Sequence, residues 1–160
     1  MAVSKLNPVS SGAKTKKIAS FKSSGNWTVP SGVTSAIAYC IGGGGGTIFN
    51  GTAPGAGGTT TVNFPTSVTA TGGSGYQGDG NLQLRVSHRN GTDNTGEGGQ
   101  SGAMENRTEG GGYTVIGASG QKITGYSTVT SGNSITVTIG AGGTGAGVGG
   151  SGYAYIEYYE

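Results

Sequence analysis

The sequence predicts an all-β protein: a small glycine-rich sandwich of short strands continued by extended polyglycine segments, with essentially no helix. Three observations predict this class. No segment repeats apolar residues with helical periodicity, short β-branched and aromatic runs recur between glycines, and glycine supplies 37 of the 160 residues. Such a glycine content is typical of low-complexity chains, but only 10% of the residues are charged, which argues against a disordered chain.

Strand signals follow one another along the chain. In residues 33–42, VTSAIAYCIG, the larger residues Ile37, Tyr39 and Ile41 alternate with small apolar ones. Because neither face is polar, we expect this strand to be covered on both sides. In SITVTIG only one side is apolar, which predicts a half-exposed strand. The remaining predicted strands are residues 16–21 and the runs NWTV, TTTVNF, NLQLRVS, YTVI, KITGYSTV and YAYIEYY.

The glycines concentrate in three tracts, 42–46, 55–58 and 140–152. The last tract contains GAGGTG, which fits a dinucleotide-binding pattern, but a strand and not a helix follows it. The first tract lacks the Gly-Lys-Ser/Thr ending of a phosphate-binding loop. We therefore interpret the tracts as structural, because extended glycine segments resembling polyproline II helices can approach to backbone distance and exchange hydrogen bonds. Five tyrosines are expected to form the hydrophobic base of this glycine layer: Tyr39, Tyr153, Tyr155, Tyr158 and Tyr159.

Charge divides the chain into two parts. Residues 1–20 form a basic N-terminal arm, and residues 21–160 form the glycine-rich β domain. The lysines of the arm are candidates for docking onto another protein: Lys5, Lys14, Lys16 and Lys17. The alternative is a solvated tail. No aromatic residue lies between these lysines, so nucleic acid is not an expected partner.

Cys40 is the only cysteine, so the sequence offers neither an intrachain disulfide nor a cysteine zinc site. Within an apolar strand we expect it to be a small buried hydrophobe. No run reaches the length of a membrane span, and the first residues form no apolar leader. The expectation is synthesis in a cytoplasm, without membrane insertion.

Residues 72–112 are polar, glycine-rich and without an evident structural duty, and such loops on a rigid frame are where binding residues lie. The candidate receptor-binding residues in and next to this region are Tyr76, Arg85, His88, Arg89 and Tyr113. Alternatively, they are solvated strand ends. His88 is the only histidine, and no nucleophile has a base motif nearby, so we expect no enzyme, no cofactor and no metal.

Two long motifs resemble a known family. FKSSGNWTVPSGVTSAIAYCIGGGGG looks like the opening motif of glycine-rich domains at the tips of bacteriophage tail fibres. VTSGNSITVTIGAGGTGAGVGGSGYAYIEYY is similar to their closing motif. The resemblance implies stacked glycine helices, docking onto other virion proteins, and loops that contact a bacterial surface protein or polysaccharide. Large adhesins of this type carry many glycine tracts, so we expect a compact version or an oligomer that shares tracts.

The resulting functional hypothesis is a non-enzymatic virion adhesin, assembled in the host cytoplasm and forming a homo-oligomer, with a trimer favoured. One alternative is a capsid decoration or tail cement protein. A further alternative is an ice-binding protein that presents a rank of threonines, Thr59, Thr60, Thr61, Thr136 and Thr138, although the regular tripeptide repeat that such a surface needs is not found in the sequence.

Overall fold

A computed structural model describes residues 12–48, 53–77, 86–97, 100–104 and 112–160, of which 48, 77, 86–89, 100–104 and 112–115 are described as backbone alone. The described residues form strands, turns and extended segments, and none of them is helical. An all-β fold is therefore confirmed. The strands are β1 Lys16–Phe21, β2 Gly25–Thr28, β3 Ser35–Ile41, β4 Thr47–Ile48, β5 Thr60–Val62, β6 Val68–Ala70, β7 Tyr76–Gln77, β8 Val86–Arg89, β9 Gln100–Met104, β10 Gly112–Ile116, β11 Lys122–Thr128, β12 Ser134–Thr138 and β13 Tyr153–Tyr159.

Two four-stranded antiparallel sheets form a sandwich. Sheet I has the strand order β1-β13-β3-β11, and sheet II has the order β2-β12-β5-β6. The sequence predicted most of these strands, including the half-exposed β12, in which Ile135 and Val137 are buried while the residues between them are exposed. It did not predict β4, β6, β7 or β9, which have only two to five residues each. Of these, β6 does alternate, with Val68 and Ala70 buried and Thr69 exposed, but three residues are too few to stand out in the sequence.

The core lies between the two sheets. Sheet I contributes small side chains, among them Ala38 and Cys40, and the larger Ile156. Sheet II and its loops contribute bulkier groups, because the small residues opposite leave room for them. Trp27 packs its ring against Phe64 and Tyr158, at centroid distances of 6.3 and 5.2 Å. Cys40 is buried as predicted, and its Sγ donates to the Val68 carbonyl at 3.6 Å.

The outer face of β3 differs from the prediction that this strand is covered on both sides. Ile37, Tyr39 and Ile41 point away from the core and are half-buried, whereas the residues between them are fully buried. Of the five tyrosines assigned to the base of the glycine layer, Tyr158 packs against the core. The others lie on this outer face, because the alternation in β3 and β13 directs every second residue outward.

The sandwich has two different ends. Connections 29–34, 63–67 and 129–133 lie together at one end, which we call the turn end. At the other end the strands continue into extended glycine segments: β3 into residues 42–46 and β12 into residues 140–145. Strands of the sandwich thus continue directly into one layer of extended segments, which we call the glycine layer. It consists of segments 42–46, 53–59, 71–75, 91–97, 117–121, 140–145 and 147–152.

Residues 42–46 lie at the centre of this glycine layer. Around them each segment bonds through its backbone to the next, in the order 53–59, 71–75, 117–121, 91–97, 147–152, 140–145 and back to 53–59. The described residues of one chain therefore complete a ring of six segments about a seventh. The compact version of the layer expected from the sequence is present without a second copy, because isolated glycines at 72–73, 91, 96, 117 and 120 join the three dense tracts.

The hydrogen bonds of the central segment show its helical period. The six amides of residues 42–47 donate to three neighbouring segments in rotation, at N···O distances of 2.8–3.0 Å. The donor–acceptor pairs are, in order, Gly42–Gln121, Gly43–Gly58, Gly44–Gly150, Gly45–Ala118, Gly46–Gly55 and Thr47–Gly147. Every third amide meets the same segment, as expected for a polyproline II helix with three residues per turn.

Side chains are excluded from this centre by the closeness of the neighbouring backbones. A Cβ added at Gly43 would collide with the carbonyl oxygen of Ala141, and one at Gly45 would collide with that of Ser74. Glycine is thus required here for close approach, while the buried amides find their partners in other glycine segments.

Candidate functional site: the far end of the glycine layer

The far end of the glycine layer is the end remote from the sandwich. Thr47 lies here, five residue steps beyond Gly42, which at ~3.1 Å per residue places it about 15 Å from the end of sheet I. Thr47 is fully buried and exchanges two backbone hydrogen bonds with Gly147, at 2.8 and 3.0 Å. β4 and β7 pair in parallel at this point, with Thr47 opposite Tyr76. The backbone of the far end is therefore fixed in place.

Among the five candidate receptor-binding residues, Tyr76 is the one whose side chain the structure describes. Its amide donates to the Gly46 carbonyl at 2.9 Å, while 53% of its surface is exposed. A rigid backbone thus holds an aromatic ring in solvent. This combination suits a contact with an external ligand, because little backbone order has to be gained on binding.

The three-stranded sheet β8-β9-β10 carries further candidates. β10 lies beside β4 and β7, so the strands of Tyr113 and Tyr76 are neighbours. In the antiparallel register, the positions of Tyr113 and His88 fall on one face of this sheet and that of Arg89 falls on the other. The structure thus gathers four of the five candidate positions around one end of the molecule, and Arg85 lies outside the described residues.

Part of residues 72–112 contributes to the fold more than the sequence suggests, because it packs into the glycine layer and bonds to it. Besides the glycines that enter the layer, two polar side chains of this region bond to segment 147–152. The Asp93 carboxylate accepts from the Ser151 amide at 3.2 Å, and the Asn90 side chain accepts from the Val148 amide at 3.1 Å. The expectation of a free polar loop is wrong for this part of the region, because extended glycine segments need polar side chains to satisfy their outward-facing amides.

A turn over residues 92–97 completes this fastening. Glu97 accepts from the Thr92 amide at 2.9 Å, and the Asn94 amide donates to Ser151 Oγ at 3.0 Å. Asn94 has a φ of 62°, in the left-handed region that asparagine tolerates better than most residues. The sequence TDNTGE contains the Asp, Asn and Gly of a tight turn, and this signal could have identified the turn.

The candidate docking lysines lie at the opposite end. Lys14 and Lys17 are exposed near the turn end. Lys16 instead forms an ion pair of 2.7 Å with Glu157, whose side chain is 11% exposed, and the hydrogen bond to Glu157 raises the pKa of Lys16. Residues 16–20, assigned to both the arm and the first strand, lie in β1 against β13. Lys5 lies outside the described residues.

Burial raises the pKa of the Cys40 thiol to about 11, so this group is protonated at neutral pH. In the described ranges, no three His, Cys, Asp or Glu side chains converge as a metal site requires. Nor does that part of the chain contain a helix with the length and apolarity needed to cross a bilayer.

Comparison with known proteins adds no relative: no family model, curated protein or solved structure matches the chain.

The structure also reveals a surface that was not singled out as a site in the sequence. Four of the tyrosines expected beneath the glycine layer, together with Tyr126, lie on the outer face of sheet I. The sequence signal was present in the alternation of YAYIEYY, where Glu157 shares one face with three tyrosines and Ala154 and Ile156 lie on the other.

Proposed function

We propose that this protein is a non-enzymatic bacteriophage adhesin, which docks by its basic, turn end and binds a bacterial surface molecule with the far end of its glycine layer. The main support for this proposal is that the candidate docking residues and the candidate receptor-binding residues lie at opposite ends of the molecule. Lys14 and Lys17 lie at one end, and Tyr76 and β8–β10 lie at the other, about 15 Å beyond the sandwich by the polyproline II rise.

The glycine layer supports this role mechanically. A ring of six segments about a seventh holds its backbone by hydrogen bonds in several directions, so the far end is fixed relative to the sandwich. Receptor-binding residues on such a layer keep their relative positions when force acts between the particle and the bacterium. Individual contacts can then be weak, since several copies on one particle act together.

The test replaces Tyr76, Arg85, His88 and Arg89 with alanine in one variant. We expect an unchanged melting temperature and reduced binding of the purified protein to host cells, measured by flow cytometry. A matched control replaces four exposed turn-end residues, Ser31, Thr66, Thr130 and Ser131, with alanine and should bind like the parent. If the far-end variant folds and binds as well as the parent, the receptor surface is not at the far end.

Genetic removal separates adhesion from decoration. Particles without the protein should lose adsorption to the host while keeping intact capsids and tails. If such particles adsorb normally but are fragile, the protein is a decoration or cement protein. The ice-binding alternative is weakened because Thr60 is buried between sheet II and the glycine layer, which breaks the predicted rank of threonines.

A further inference from the structure

The outer face of sheet I is unlike any other surface of the sandwich. It carries five tyrosines and three isoleucines, which we call the tyrosine face: Tyr39, Tyr126, Tyr153, Tyr155, Tyr159, Ile18, Ile37 and Ile41. The outer face of sheet II carries polar residues in the equivalent positions, among them Thr28, Thr136 and Thr138. Since both faces belong to one small sandwich, solvent exposure alone does not explain the tyrosine face.

The rings of the tyrosine face are held in a defined arrangement. Tyr39 and Tyr155 are cross-strand partners, and their rings stack at 4.3 Å with an interplanar angle of 14°. Tyr153 lies next along β13, with its ring centroid 6.1 Å from that of Tyr155. Burial and then the neighbouring Tyr39 raise the pKa of Tyr155, so its hydroxyl remains protonated and able to donate. The result is an ordered aromatic platform with hydroxyl groups at its rim.

A cleft of about 240 Å³ opens beside this platform, where sheet I meets the glycine layer. Its walls are mainly apolar and include Tyr39, Ile41 and Tyr153. Two of its lining residues, Thr124 and Lys122, carry a hydroxyl and an ammonium group. Among the described residues, the one ion pair is that between Lys16 and Glu157, so the positive charge of Lys122 is not compensated there.

A second, smaller cleft of about 130 Å³ lies at the turn end of the same face. Tyr126, Tyr159 and Ile37 line it, together with Glu157, whose charge is already paired with Lys16. The stacked pair of Tyr39 and Tyr155 lies between the two clefts. The face therefore offers a track of aromatic rings with a net positive charge at its glycine-layer end.

The size of the tyrosine face limits the kind of partner that can bind to it. Four strands at ~4.8 Å spacing and seven residues at ~3.3 Å rise give a face of about 14 by 23 Å. Such an area is well below the ~800 Å² per partner of a stable protein interface, so a second copy held by this face alone would bind weakly. An extended chain molecule of small width fits the track better.

We propose that the tyrosine face binds an acidic oligosaccharide, with sugar rings against Tyr39, Tyr153 and Tyr155 and a carboxylate of the sugar against Lys122. The C–H faces of a pyranose match the apolar rings, and its hydroxyl groups meet the tyrosine rim and Thr124. This site goes beyond the proposed adhesin function, since it lies on the sandwich and not at the far end.

The experiment titrates the full-length protein, by calorimetry, with hexamers of galacturonate, guluronate and hyaluronan as acidic probes. Fully methyl-esterified oligogalacturonate, which has the same backbone without the charge, is the matched neutral probe. We expect at least one acidic hexamer to bind, at least tenfold weaker binding by Tyr39→Ala and Tyr153→Ala, and no change for Thr136→Ala on sheet II. Lys122→Gln, an exposed position that cannot disturb the core, should weaken binding of the acidic probe and leave the esterified one unchanged.

Three outcomes would overturn the proposal: no binding of any acidic hexamer, binding that survives in both tyrosine variants, or binding that is indifferent to Lys122→Gln. Sedimentation tests the competing occupant. If the parent self-associates and Tyr39→Ala makes it monomeric, the tyrosine face is an interface between copies. The far-end alanine variant should retain oligosaccharide binding, so failure of the adhesin proposal and failure of this one are distinguishable.

Discussion

The hydroxyl of Thr60 accepts a hydrogen bond of 3.0 Å from the backbone amide of Gly140. Thr60 is fully buried at the start of β5, and Gly140 is the first residue of its glycine segment after β12. The contact joins the sandwich to the glycine layer at the point where alternating strands become extended glycine. A threonine suits this place, because its methyl group packs with the core while its oxygen satisfies a glycine amide.

Thr60→Val tests this junction. Valine has nearly the same shape but cannot accept the Gly140 amide, which would remain buried without a partner. We expect the free energy of unfolding to fall by about 1–3 kcal/mol. Urea denaturation measures it, and Thr136→Val on the exposed face of β12 is the control, with a change within about 0.5 kcal/mol. Equal effects of the two variants would show that the hydrogen bond contributes nothing beyond strand propensity.

The glycine layer should not tolerate a single methyl group. Gly43→Ala places a Cβ into the carbonyl oxygen of Ala141, which is backbone of a neighbouring segment and cannot move without breaking the ring. We expect insoluble or unfolded protein, judged by solubility and circular dichroism. Gly25→Ala is the matched control, because its Cβ would meet Phe21 at an ordinary 3.9 Å. A Gly43→Ala protein that melts normally would mean that the tract is a loose linker.

Particular residues show what the sequence can and cannot predict here. β12 and β13 were found because burial alternates with the side chains along them. The dense tract 42–46 was found because five consecutive glycines are conspicuous. The ring around it was not, since Gly91, Gly96 and Gly120 stand among polar residues and their pairing is between backbones, which leaves no side-chain pattern.

The candidate sites follow the same division. Tyr76 was found as an exposed aromatic residue in a polar region, and the structure leaves its ring in solvent. The tyrosine face was missed because a strand with apolar residues on both sides looks fully buried in sequence. Which face of the strand meets the core depends on where the partner sheet packs, and the sequence of the strand alone does not determine this.

Cys40 gives a prediction about pH. Its pKa is raised to about 11 from an ordinary value near 9 by desolvation, so the folded state holds its proton more tightly than the unfolded state does. This contribution to stability is fully present below pH 9 and is lost as the pH rises toward 11. Between pH 8 and 11 the melting temperature should therefore fall less steeply with pH for Cys40→Ala than for the parent.

The same burial predicts a chemical result. At pH 8 the thiol should react with Ellman's reagent in denaturant and remain unreactive in the native protein, because Cys40 is 1% exposed. Rapid labelling of the native protein would show that sheet I and sheet II separate readily and that the core between them is not closed.

The N-terminal residues provide the last prediction, because the basic arm and β1 overlap in sequence but differ in role. A variant that begins at Ala13 keeps β1, the ion pair between Lys16 and Glu157, and the packing of Ala19 against the core. A variant that begins at Phe21 loses all three and leaves β13 as an unpaired edge. We expect the first to melt with the full chain and the second to melt at least about 4 °C lower.

Incorporation into particles is then compared for the full chain and the variant beginning at Ala13, which lacks residues 1–12 and with them Lys5 but keeps the described strands. Reduced incorporation at an unchanged melting temperature supports docking by the arm, whereas normal incorporation would leave Lys5 without that role. Equal melting of all three proteins would mean that β1 is not part of the cooperative fold.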